Sequence, residues 1–135
     1  MYKNILIPVV FDPAHTPDTA LAAARQLSSE GARVTILHVI EELPGYATSY
    51  VAADFIEQSR KEVKDRLTEI AGMIEGGEPV VVHGHSARTI LGYAEDNDTD
   101  CIIVSSHKPG VQDYFLGGTA ARVVRYAQCA VHVIR

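Results

Sequence analysis

The sequence predicts a single α/β domain, built as an open parallel sheet of five strands with helices on both faces. Five short runs rich in valine and isoleucine alternate with amphipathic helical patterns along the 135 residues. Such alternation is typical of successive β-α-β units, whose right-handed crossovers place the strands parallel in one sheet. A chain of this length is long enough for one domain with its own core.

The predicted strands are residues 4–10, 33–40, 79–84, 101–106 and 130–135. All but the third are nearly continuous apolar runs, which indicates strands that are buried on both faces of the sheet. We expect the strand order 3-2-1-4-5. In such sheets ligands bind beyond the carboxyl ends of the strands, where the strand order reverses. The predicted crevice therefore lies between strands 1 and 4, bordered by residues 8–12 and 105–110.

The first two helices are predicted from caps and periodicity. Thr16 is a suitable N-cap and Pro17 suits the first helical position, so the first helix is expected to begin there and to end before Gly31. The second helix is expected over residues 51–74, with Phe55 on its apolar stripe.

The last two helices follow strands 3 and 4. Ser86 is the expected N-cap of the third helix. The fourth is expected to begin at Gly118-Thr119 and to bury three apolar residues: Val123, Val124 and Ala127.

Composition excludes several classes of protein. The net charge of −5 argues against a nucleic-acid-binding protein, which usually carries a basic excess. No apolar stretch approaches the roughly 20 residues of a membrane span, and the N-terminus lacks the features of a signal peptide. The two cysteines fit buried, reduced thiols, so we expect a cytoplasmic protein.

Basic residues exceed acidic ones in the last quarter of the chain. From residue 104 onward the basic residues are Lys108, Arg122, Arg125 and Arg135, and the acidic residue is Asp113. This bias would suit an anionic ligand, but from charge alone a solvated helix face is the favoured explanation.

Two adjacent glycines precede the fourth helix. The first amides of a helix are unpaired and bind phosphate readily, and Gly117 and Gly118 would let an anion approach the backbone closely. Thr119 could add a hydroxyl donor and Lys108 a positive charge. The alternative is a flexible turn followed by a helix cap.

Histidines supply the other candidates. His83 and His85 are two residues apart and could share a metal ion, but no other ligand lies at a suitable spacing, so a polar loop is favoured. His107 could act as a base or hold a phosphate, or it could make a structural hydrogen bond. No catalytic triad or carboxylate pair is present in the pattern.

Three segments together resemble the universal stress protein family: "MYKNILIPVVFD", "GHSARTILGYAEDNDTD" and "CIIVSSHKPGVQDYFLGGTAARVVRYAQCAVHVIR". The resemblance covers essentially the whole chain and is strongest in its last 35 residues. It implies an adenine nucleotide in the predicted crevice, namely ATP with or without Mg²⁺.

The chain departs from the pattern G-x2-G-x9-G-[ST] of the nucleotide-binding members. Ser105 and Lys108 replace the first two glycines. If Gly117 is the third glycine, the spacing is one residue short, Gly118 occupies the hydroxyl position and Thr119 follows it. The acidic residue used after strand 1 corresponds to Val10, with Asp12 two residues on.

The resemblance implies phosphate contacts from Lys108, Gly117, Gly118 and Thr119, and places Val39 and Gly84 beside the base or ribose. The remaining predicted crevice residues are Pro8, Val9, Val10, Asp12, Ser105, Ser106 and His107.

The function implied by the resemblance is that of an ATP-binding regulatory protein of the stress response, paired as a homodimer through residues 130–135. The alternative is a nucleotide-free protein-interaction module of the same family. A weaker alternative is slow ATP hydrolysis or autophosphorylation, with Ser105, Ser106 and Thr119 as the nearest phosphate acceptors.

Overall fold

The predicted α/β architecture is confirmed. In a computed structural model that describes residues 1–11, 17–41, 53–106 and 117–135, the strands are β1 (Tyr2–Pro8), β2 (Ser28–Ile40), β3 (Gly77–His83), β4 (Cys101–Ser105) and β5 (Ala130–Ile134). All neighbouring strands pair in parallel, in the order β3-β2-β1-β4-β5. The order reverses between β1 and β4, as the sequence predicts.

Helices cover both faces of this sheet. They are α1 (Asp18–Leu27), α2 (Ala53–Ala71), α3 (Ser86–Asp96) and α4 (Gly118–Tyr126). Helices α1 and α2 pack on one face, and α3 and α4 pack on the other. Within the described ranges, no helix has the length and apolar character that crossing a membrane requires.

The central strand β1 belongs to both cores. Its residues Ile5 and Ile7 point toward α1 and α2, whereas Leu6 points toward α3 and α4. All three are at most 1% exposed. A nearly continuous apolar run is what a strand covered on both faces requires.

Hydrogen bonds close the amino end of the sheet. The Asp100 carboxylate accepts the amides of Lys3 and Asn4, at 2.8 and 3.0 Å. The Asn4 side-chain amide donates to the carbonyls of Asn97 and Asp98. These bonds fix the start of β1 to the turn before β4.

Two residues predicted to be buried are exposed. Phe55 is 66% exposed, because the first turns of α2 lie away from the sheet and its buried residues fall in the second half. Val124 is 42% exposed, because α4 buries the adjacent Val123 and one step along a helix turns a side chain by about 100°.

The helix starts differ in detail from the predictions. Pro17 is the residue before α1 and not its first residue, while Thr16 lies outside the described residues. The prediction that Ser86 caps the third helix is wrong: His85 precedes α3, and the Ser86 hydroxyl donates to the Glu41 carboxylate at 3.1 Å.

The two strands that differ most from prediction are β2 and β5. β2 begins five residues early, at Ser28, and its register with β1 shifts near Gly31, whose φ is +75°. The prediction that β5 is buried on both faces is wrong. Val131 and Val133 pack toward α4, but Ala130 and His132 on the opposite face are exposed, because β5 is an edge strand.

Both cysteines are free. Burial, followed by repulsion from Cys129 and Asp100, raises the pKa of the Cys101 thiol to about 11. Burial likewise raises the pKa of Cys129. Since the thiolate is the reactive form, both thiols are poor nucleophiles at neutral pH.

Gly84, directly after β3, gives a test of the fold. Its φ is +142°, and a Cβ there would lie 2.5 Å from the Thr89 hydroxyl. We expect Gly84→Ala to lower the free energy of unfolding by about 1–3 kcal/mol, measured by urea denaturation.

Gly92→Ala is the matched control, because Gly92 is helical and a Cβ there meets nothing within 4 Å among the described atoms. It should raise stability by about 0.5–1 kcal/mol. Equal effects of the two substitutions would contradict a strained backbone at Gly84.

Candidate functional site

A cavity of about 180 Å³ lies at the carboxyl end of the sheet, between β1 and β4. It exists because these strands pair over a short length. β1 pairs with β2 as far as Pro8, but pairs with β4 only at Ile5 and Leu6. Beyond Leu6 the two strands separate, as expected at the point where strand order reverses.

Pro8 explains the separation. Along β1 the backbone groups alternate in direction: the Val9 amide donates to Leu37 of β2, whereas the Asn4 carbonyl accepts from Asp100 beside β4. By this alternation the nitrogen of Pro8 faces β4. Proline has no N–H, so the ladder between β1 and β4 cannot continue through it.

Apolar side chains form most of the cavity wall, and both helical layers contribute. The apolar lining residues are Pro8, Val9, Val10, Phe11, Pro17, Ala20, Leu37, Val39, Ile70, Ile90, Val104 and Ala120. The polar lining residues in the described part of the chain are Arg66, Ser86, Ser105 and Thr119. A largely apolar wall with few polar groups is the usual character of a small-molecule site.

A linked set of contacts forms the wall on the α2 side. The His38 Nδ1 atom lies 2.9 Å from the Val9 carbonyl oxygen. The His38 and Phe11 rings are 4.7 Å apart between centroids and tilted by 39°. The Arg66 guanidinium carbon lies 4.6 Å from the centre of the Phe11 ring. The chain after β1 is thus held against β2 and α2.

The start of α4 forms the opposite rim. Gly117 precedes the helix in an extended conformation without a side-chain cap, and Thr119 lines the cavity. A Cβ on Gly117 or Gly118 would meet no described atom within 4 Å, and neither has a positive φ. The described structure therefore does not itself require glycine at these two positions. The first amides of α4 have no partner within the helix, so they are donors of the kind that an anion can accept.

The structure brings together part of the predicted set of site residues. Those that line the cavity are Pro8, Val9, Val10, Val39, Ser105 and Thr119. Gly117 and Gly118 lie beside it, at the start of α4. Asp12, His107 and Lys108 lie outside the described residues, so their contacts with a ligand stay predictions.

Ser106 and Gly84 have structural environments of their own. Ser106 is 4% exposed, and its amide and hydroxyl both donate to the Ile134 carbonyl, at 2.8 and 3.0 Å. Gly84 donates its amide to Ile40 and requires glycine for its backbone conformation. Neither residue is among those that line the cavity.

The basic residues of α4 do not line the cavity. Arg122 and Arg125 are exposed on α4, and Arg125 lies over the ring of Tyr126. Among the lining residues that the structure describes, the charged one is Arg66. No sequence signal separated it from the other charged residues of its helix.

The histidines near residue 84 are both exposed, and they lie on different elements, since His83 ends β3 and His85 precedes α3. In the described parts of the chain, no three His, Cys, Asp or Glu residues are grouped closely enough to hold a metal ion.

The doubly wound sheet and its crevice define a class of α/β proteins that bind ligands at the carboxyl edge of the strands. Within this class, the family model of the universal stress protein family matches residues 1–135, and the chain belongs to that family.

The similarity to individual members extends over the whole chain. It is 33% identical to universal stress protein A homolog 2 of Coxiella burnetii, over 99% of this chain and 95% of that protein. It is 29% identical to universal stress protein G of Salmonella typhimurium, over the full length of both. The universal stress protein UspA from Lactobacillus plantarum has the same fold, with a TM-score of 0.79, 24% identity and coverage of 99% and 98%.

Some structural neighbours have been solved with adenine nucleotides. The universal stress protein from Archaeoglobus fulgidus in complex with dAMP has a TM-score of 0.66 and 16% identity, covering 99% of this chain and 98% of that one. An Arabidopsis thaliana family protein with AMP bound has a TM-score of 0.63 and 15% identity, covering 98% and 90%. At these identities the likeness shows the fold alone.

The number of residues between Lys108 and the glycine pair corrects the alignment of the glycine pattern given above. Nine residues, 109–117, lie between Lys108 and Gly118. The spacing x9 is therefore met with Gly118 as the glycine and Thr119 as the hydroxyl residue. With this alignment the departure from the glycine pattern is confined to Ser105 and Lys108. Gly118 and Thr119 are also the first two residues of α4.

Proposed function

We propose that this protein binds an adenine nucleotide, ATP, in the cavity between β1 and β4, and that the bound nucleotide regulates its interactions with other proteins. The observation that carries the proposal is the position of the α4 N-terminus at the rim of this cavity. Gly118 and Thr119 begin the helix there, and helix N-termini bind phosphate through unpaired amides. The nucleotide complexes of the structural neighbours support adenine as the base.

The size of the cavity fits part of a nucleotide. About 180 Å³ is less than the ~300 Å³ at which pockets begin to enclose a drug-sized ligand. Its apolar lining near Val9 and Val39 suits a base, and the open rim at α4 leaves the phosphates outside the cavity. We therefore propose a base held between the strand ends, with phosphates on the α4 amides.

The described lining offers groups for binding, and His107, the base that the sequence suggests, lies outside the described residues. General-base catalysis needs a histidine, carboxylate or similar group within reach of the reacting water. The described lining residues include no histidine and no carboxylate. We propose that the nucleotide acts as a bound signal.

Calorimetric titration tests this function. Protein unfolded, washed free of small molecules and refolded should give saturable heat with ATP and Mg²⁺, and with AMP, because both carry the base and phosphate that the site is proposed to hold. Mass spectrometry of small molecules released from the protein as purified should identify an adenine nucleotide.

No heat at millimolar ATP or AMP, together with no released nucleotide, would overturn the proposal. That result would favour the alternative of a nucleotide-free interaction module. Two observations support this alternative: the small volume of the cavity, and the presence of Ser105 and Lys108 at glycine positions of the family pattern.

Substitution of Gly118 separates binding from stability. The new methyl group of Gly118→Ala would occupy space that the described atoms leave open, next to the proposed phosphates. ATP affinity should fall at least about tenfold, as expected when one hydrogen bond to a charged group is lost. Thermal stability should stay unchanged or rise, since alanine is the better helix former.

Gly92→Ala is again the control, because Gly92 lies on α3 and does not line the cavity. It should leave ATP affinity unchanged. Full ATP affinity in the Gly118→Ala protein would remove α4 from the proposed site.

We also infer that the protein is a homodimer through β5. This strand is an edge of the sheet, and an unpaired apolar edge favours pairing with another strand. Because the Ile134 carbonyl faces β4, alternation turns the backbone groups of Val131 and Val133 outward. The exposed face with Ala130 and His132 adds surface that a partner could cover.

Val133→Pro tests the dimer, since it removes an outward N–H and leaves the bonds to β4 in place. We expect wild-type protein to sediment as a dimer and the variant as a monomer. Val133→Ala loses a similar amount of packing but keeps the N–H, and should remain dimeric. A wild-type monomer at micromolar concentration would refute the inference.

A further inference from the structure

Arg66 is a cation at the cavity whose donors are unused within the described structure. Its guanidinium contacts the Phe11 ring but makes no hydrogen bond or ion pair with any described residue. Two arginines of the other elements do use their donors: Arg25 donates to the Met73 carbonyl at 2.7 Å and Arg33 to the Asn97 carbonyl at 3.4 Å. A guanidinium presents five donors in a fixed plane, which match the oxygens of a phosphate or carboxylate.

The position of Arg66 is set by its neighbours. Phe11 lies under the guanidinium, His38 packs against Phe11, and His38 is bonded to the Val9 carbonyl at the end of β1. This series of contacts leads from the central strand to the rim of the cavity. It limits the freedom of a long exposed side chain, and a restricted side chain loses less entropy when it binds.

We propose that Arg66 selects the phosphorylated form of the ligand, by donating hydrogen bonds to a phosphate of a nucleotide bound in this cavity. The inference rests on the proposed function and adds a second phosphate-binding group to it. Arg66 and Thr119 line the same cavity from opposite faces of the sheet, one on α2 and the other at the start of α4. A phosphate at the rim would thus meet positive potential from both sides, and a neutral nucleoside would gain little from either.

The competing role for Arg66 is to form a flat wall over Phe11, against which the base stacks. Guanidinium groups stack on aromatic rings, and such stacking does not depend on phosphate. The two roles therefore differ in one measurable respect. Loss of a phosphate contact lowers the affinity for nucleotides and leaves the affinity for the nucleoside unchanged. Loss of a stacking wall lowers both affinities to the same extent.

The experiment measures the affinities of adenosine, AMP and ATP for the wild type, Arg66→Gln, Arg66→Lys and the control Arg60→Gln. Arg60 lies on the same helix, is exposed and does not line the cavity. Its substitution by glutamine removes the same charge as Arg66→Gln does, but away from the proposed site. Circular dichroism and thermal melting establish that each variant is folded.

We expect Arg66→Gln to bind AMP and ATP about tenfold more weakly, as for one lost charge-assisted hydrogen bond, and to bind adenosine as the wild type does. Arg66→Lys should retain part of the AMP affinity, and Arg60→Gln nearly all of it. The dependence of AMP affinity on salt concentration should also become less steep in Arg66→Gln.

An equal loss for adenosine and AMP would overturn the proposal in favour of stacking, and so would an unchanged salt dependence. An unchanged AMP affinity would place Arg66 outside the site while leaving the proposed function intact. Failure of the wild type to bind any of the three ligands would instead overturn the proposed function.

Discussion

The missing backbone donor of Pro8 separates β1 from β4, and the cavity depends on that separation. At the amino end of the same strands, Asp100 accepts two amides from the start of β1 and holds the chain closed. At the carboxyl end β1 pairs with β4 only as far as Leu6. One pair of parallel strands is thus fixed at one end and open at the other, and the opening lies where the strand order reverses.

The open end collects groups from both helical layers. Because β1 is buried on both faces, residues that follow it can pack toward either layer. Phe11 packs against His38 and Arg66 on the α2 side, and the start of α4 lies on the other side. The rigid apolar centre fixes the position of the site, and the polar groups at its rim can determine which ligand is recognised.

The fold and the carboxyl ends of the strands were predictable because periodicity and apolar runs follow burial, although these patterns overestimated burial at Phe55, at Val124 and on one face of β5. Pro8, Val9, Ser105 and Thr119 follow from the positions of strand ends and helix starts along the chain, and Val39 follows from the family resemblance. Arg66 could not be predicted in this way, since it lies on a charged, exposed helix and reaches the cavity only through tertiary packing. Gly84 shows the opposite problem: the family resemblance places it beside the base or ribose, yet its φ and its distance to Thr89 give this glycine a structural reason.

The two donors at the cavity differ in what they make possible. Amides at a helix start come with the fold, because every strand-to-helix connection at this edge presents them, and they attract any anion. The guanidinium of Arg66 on α2 is a side-chain group, and its planar set of donors matches the oxygens of a phosphate. Under the proposed function, Arg66 on the opposite rim would add a side-chain phosphate donor to a chain that has Ser105 and Lys108 at the first two glycine positions of the family pattern. Selectivity in this protein would then depend on Arg66, which lies outside residues 105–119, where the family pattern lies.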